Sequence, residues 1–72
     1  MKTIHVFKTS VKGKGQVRKL RPLLNHLVAK NGYWNFDLED RDNILRVETQ
    51  DLPAPVIASL LKNKGFLCEE LQ

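Results

Sequence analysis

Between residues 34 and 48 the chain alternates. Trp34, Phe36 and Leu38 are separated by Asn35, Asp37 and Glu39, the period of two of a strand with one buried face. Asp40 to Asn43 holds no hydrophobic residue and is rich in turn formers. Leu45 and Val47 then alternate with Ile44, Arg46 and Glu48. The stretch predicts a hairpin. A two-stranded hairpin is at best marginally stable in water, so its apolar face must be covered by the segments on either side.

Residues 2–9 predict a strand, with Ile4, His5, Val6 and Phe7 β-favouring on both faces. Ser10 to Gly15 predicts a flexible loop, in which Lys12, Gly13, Lys14 and Gly15 form a candidate anion or partner loop beside a helix start. Its spacing is not that of a phosphate-binding P-loop. Over residues 14–30, Val17, Leu20, Leu24, Leu27 and Val28 recur at three- and four-residue steps, the stripe of an amphipathic helix. Gly13 is the expected N-cap, Gln16 half of a capping box, and Asn31-Gly32 the stop. Pro22 either bends this helix or, if the regular part starts near Lys19 or Arg21, sits in its first turn; Val17 and Leu20 keep the stripe and favour the bend.

A second helix is expected after residue 50. Asp51 is its candidate N-cap, Pro53 and Pro55 lie in or near its first turn, and Gly65 ends it. Val56, Ile57, Leu60 and Leu61 make its apolar face. Residues 66–71 predict a last short strand. The order strand–helix–strand–strand–helix–strand implies one α+β domain over residues 1–72. It is a ferredoxin-like βαββαβ sandwich, with a four-stranded antiparallel sheet and two helices on one face. Trp34, Phe36, Leu38, Leu45 and Val47 are then expected beneath the helices. With Ile4 and Val6 turned the same way, the open face would carry His5, Phe7, Ile44, Arg46 and Leu67.

Composition narrows the setting. The hydrophobic fraction is 42% and the charged fraction 28%, ordinary for a soluble globular domain. No apolar run approaches a membrane span and no leader pattern opens the chain, so a cytoplasmic protein without membrane contact is expected. The single cysteine, Cys68, allows no internal disulfide and fits a reducing compartment. The net charge of +4 conceals a skew, since residues 1–30 carry eight Lys or Arg and no Asp or Glu. Such a block is either a solvated helix face or an attraction for an acidic partner.

Over about 65 residues the pattern resembles the heavy-metal-associated domain family, the copper-chaperone-like modules. The resemblance rests on length, on Val17 and Leu20 at the first buried helix positions, and on Lys64-Gly65-Phe66 before the last strand. It implies the same ferredoxin-like fold and, in ordinary members, metal held by a Cys-x-x-Cys at the first loop. Here those two positions fall on Gly13 and Gln16, and Ser10-Val11 replaces the usual Gly-Met. Soft ions such as Cu(I) are held by paired thiolates. The expectation is therefore a divergent member with no bound metal or other cofactor.

Other chemistry is sparse. Asp37, Glu39, Asp40 and Asp42 place four carboxylates within six residues, but the pattern lacks the glycine and terminal acid of an EF-hand and reads as a turn. His26 is expected to face solvent, and Cys68 to be a small buried residue that the register keeps from His5. Ser10, Ser59, His5 and His26 form no nucleophile–base set, so no enzyme is expected. Two binding classes stay open. One is protein–protein contact or self-association through the open face. The other is weak nucleic-acid binding, with Phe7 imitating an RNA-recognition aromatic and the basic third adding salt-sensitive attraction. Residual metal binding, as the family resemblance implies, is a further alternative.

Overall fold

Four strands and two helices follow one another as β1 (Thr3–Thr9), α1 (Lys14–Val28), β2 (Tyr33–Asp37), β3 (Ile44–Thr49), α2 (Ala54–Asn63) and β4 (Cys68–Leu71). The computed structural model describes residues 2–28 and 32–71. The sheet is antiparallel, in the order β2-β3-β1-β4. This is the α+β ferredoxin-like arrangement, two βαβ units interleaved so that each central strand comes from a different unit.

Helix α1 begins where a Gly13 cap predicts. The Gly13 carbonyl accepts from the N–H groups of Gln16 and Val17. The Gln16 carboxamide oxygen reaches one residue further back than a standard capping box, accepting from Lys12 N–H at 2.7 Å. Leu20, Leu24 and Val28 are buried, with Val17, Leu23 and Leu27 packed beside them. The helix runs through Pro22. That residue is exposed, so the carbonyl left unbonded by the missing N–H can turn to water. The expected extension over residues 29–30 and the stop at Asn31 lie outside the described residues.

Gly32 sits at a close approach of two chain segments. A Cβ there would overlap Val28 Cγ1 and come within 2.8 Å of the Val28 carbonyl oxygen and 2.9 Å of the Glu48 carbonyl oxygen. Only glycine lets the end of α1 and β3 approach this closely.

At α2 the N-cap is Pro53, not Asp51, and it makes no side-chain cap bond. Thr49 occupies the preceding turn instead, its Oγ1 accepting from Leu52 N–H at 3.3 Å. Ile57 and Leu61 are fully buried, whereas Val56, expected on the apolar face, is 41% exposed. The helix ends in a Schellman motif: Phe66 N–H donates to the Leu61 carbonyl and Gly65 N–H to that of Lys62. Gly65 takes φ +89° there, where a side chain is strained.

The core lies between the helices and one sheet face, built on Phe7, Val11, Leu20, Leu24, Leu45, Val47, Ile57 and Leu61. Leu45 and Val47 of the hairpin are fully buried, as alternation predicts. Trp34, Phe36 and Leu38 face the same way but are only half-buried, because β2 is the edge strand. Val11 was expected in a flexible loop and is instead a core residue, held by its N–H on Thr9 Oγ1 at 3.2 Å. Thr9 Oγ1 in turn donates to the Asn43 carbonyl at 2.6 Å. Among the described residues, no helix is long and apolar enough to cross a membrane.

Candidate functional site

The parity of β1 is opposite to expectation. Phe7 pairs with Leu45 and His5 with Val47, both on the helix side, and Phe7 is fully buried. Ile4, Val6 and Lys8 pair with Glu48, Arg46 and Ile44, so these form the centre of the open face. Phe7 is therefore not an open-face aromatic and is not placed to stack on a base. Lys8 carried the missed signal. It shares parity with Ile4 and Val6, and a lysine prefers the face that meets water.

His5 also lies on the helix side, half-buried. Its Nε2–H donates to the Leu52 carbonyl at 2.9 Å and its Nδ1 lies 3.5 Å from Glu70 Oε2. A carbonyl can only accept, so Nε2 is the donor in that bond. The ring latches the start of β1 to the connection before α2. Cys68 pairs with Thr9, which puts it on the same face as His5 rather than the opposite one. Four residue steps along the strand still separate His5 from Thr9, about 13 Å. Burial raises the Cys68 thiol from 9.0 to about 11, with the Lys62 charge acting in the lowering direction. His26 is exposed. No group of three or more His, Cys, Asp or Glu side chains among the described residues is placed to hold a metal ion.

The acidic turn is internally satisfied. Asp37 Oδ1 accepts from Glu39 N–H at 3.2 Å and Asp40 Oδ1 from Asp42 N–H at 2.9 Å. Asp42 also lies 3.8 Å from Lys8 Nζ. Asn43 closes the turn at φ 50°, a left-handed geometry that asparagine tolerates. In the first loop Lys12, Lys14 and Gly15 are exposed and Gly13 is partly covered.

Two surfaces of the domain stand out. On the open face, register sets Leu71 beside Val6, with Ile4 next along β1. Ile4 is 57% and Leu71 38% exposed. Arg46 and Glu48 flank this strip from β3, and Lys8 with Glu69 closes one end. Ile44 shares the face but is buried, and Leu67 is exposed just before β4 begins. The second surface is a cleft of about 540 Å³ between α1 and β2, walled by Lys14, Arg18 and Arg21 and floored by Trp34 and Phe36.

No protein-family model, curated protein or solved structure matches the chain. What its geometry defines is a small α+β ferredoxin-like domain with one covered and one uncovered sheet face.

Proposed function

We propose that this chain is a non-catalytic binding module that works through protein–protein contact, self-association included, with the open sheet face as the contact surface. The observation that supports it is the strip Ile4–Val6–Leu71 on the face that neither helix covers, with Ile4 more than half exposed. An apolar strip rimmed by charge is the composition of an interface. A single core in 72 residues leaves only a few kcal/mol to spare, roughly 3–5, so covering a second apolar surface is worthwhile.

Sedimentation of the wild type and of the Ile4→Ser/Leu71→Ser variant over a wide concentration range tests this reading. Self-association that rises with concentration and is lost in the variant supports a second copy as the occupant. A monomer whose captured partner is lost in the variant supports a different protein. A strict monomer with unchanged partner capture sinks the proposal, as does stoichiometric copper or zinc in the untagged protein.

A further inference from the structure

We propose that the cleft between α1 and β2 is a second docking site, and that its occupant is an extended acidic peptide segment of another protein, added as a strand to the free edge of β2. Strand β2 ends the sheet on one side. No strand covers its outer edge among the described residues, and such an edge offers unpaired backbone N–H and C=O groups to an incoming chain.

The cleft runs along β2. Alternation points Asn35 and Asp37 to the open face of the sheet, since they pair with Arg46 and Ile44. Both nevertheless line the cleft together with Trp34 and Phe36, which point to the helices. The cleft thus follows the β2 main chain, the part of each residue that both faces share.

Charge selects the occupant. Lys14, Arg18 and Arg21 are exposed, and none is in an ion pair among the described residues. Steps of four and three put them on one helix face. They span about 10.5 Å of helix axis, from the 1.5 Å rise per residue. Alternate side chains of a strand are about 6.8 Å apart, so acidic residues at i and i+2 would meet this row. The interleaved positions would fall on the open-face side, beside Asp37, where a neutral residue is preferred.

Other occupants fit less well. Pairing β2 with β2 of a second copy would bring two such cation rows together. For a single-stranded nucleic acid, the rings are poorly presented. Trp34 and Phe36 pack edge-to-face at 5.9 Å with an interplanar angle of 76°, and Trp34 Nε1–H is committed to Asn25 Oδ1 at 2.8 Å.

The test is titration of the full chain with a fluorescent, end-blocked peptide alternating glutamate and valine. It is read by anisotropy and by amide shifts at residues 33–37. Saturable binding is expected, about tenfold weaker for Arg18→Glu/Arg21→Glu, for a peptide with a central proline, and for the same residues in block order. Both arginines are exposed, so the variant should keep its fold, which its amide spectrum checks. Ile4→Ser/Leu71→Ser should bind the peptide as the wild type does, which separates this site from the open face. Absence of saturation at millimolar peptide overturns the proposal. So does equal binding of the double variant or of the proline peptide, or tighter binding of an oligothymidylate.

Discussion

Phe7 of β1 lies directly opposite Leu45 of β3, and neither side chain has any exposed surface. Ile4, on the same strand but of opposite parity, is 57% exposed. Truncating a fully buried aromatic removes its transfer energy and leaves a cavity, so Phe7→Ala should cost about 3–5 kcal/mol. That approaches the whole stability of a domain this size. Ile4→Ser should change stability by no more than about 0.5 kcal/mol. Urea unfolding of the two variants side by side checks the parity of β1. A larger loss for Ile4→Ser than for Phe7→Ala would mean that the strand faces have been assigned the wrong way round.

Gly32 meets backbone on two sides, so relief cannot come from moving a flexible side chain alone. Gly32→Ala should destabilise the fold by about 1–3 kcal/mol. Gly15→Ala, in the first turn of α1, should cost far less, since a Cβ at Gly15 meets nothing within 4 Å. Thermal denaturation of both variants makes the comparison, and a Gly32→Ala protein as stable as wild type would refute the close approach.

The titration of Cys68 links to stability in a stated window. Its thiol is raised by burial to about 11, so the folded chain favours the neutral form. The sign follows: this contribution is fully present below the ordinary thiol value of 9.0 and is lost as pH rises towards 11. The urea midpoint of the wild type should fall more steeply across that window than the midpoint of Cys68→Ala. At pH 8 the native thiol should react with a thiol reagent much more slowly than it does in denaturant. Reaction at the denatured rate would show the burial to be wrong.

Much of the fold was legible because its signals were local. The 14–28 stripe, the alternation of 34–38 and 44–48, and Gly65 after a helical run each depend on neighbours within a few residues. The cap of α2 was misplaced from Pro53 to Asp51 because several residues before that helix can start it, and which one does depends on the path of the chain out of β3. Of the expected open-face residues, Ile44 and Arg46 lie on that face. Leu67 is exposed but outside the strand, while His5 and Phe7 point to the helices. The α1/β2 cleft escaped detection because Arg18 and Arg21 read as part of a solvated helix face. Only the strand order makes them neighbours of Trp34 and Phe36.

The sequence by itself determined the number, type and order of elements, since periodicity and turn chemistry are properties of short segments. It also determined the buried parity of the hairpin, where polar residues mark one side. In β1 both parities carry β-favouring side chains and Lys8 alone marks the water side, so alternation there has a period but only a weak sign. Tertiary structure supplied the sign by pairing Phe7 with Leu45 and by tying Thr9 to Asn43 across the sheet. A shift of one residue in that pairing would turn every β1 side chain to the other face. The docking of β1 on β3 therefore decided which residues became core and which were left for a partner.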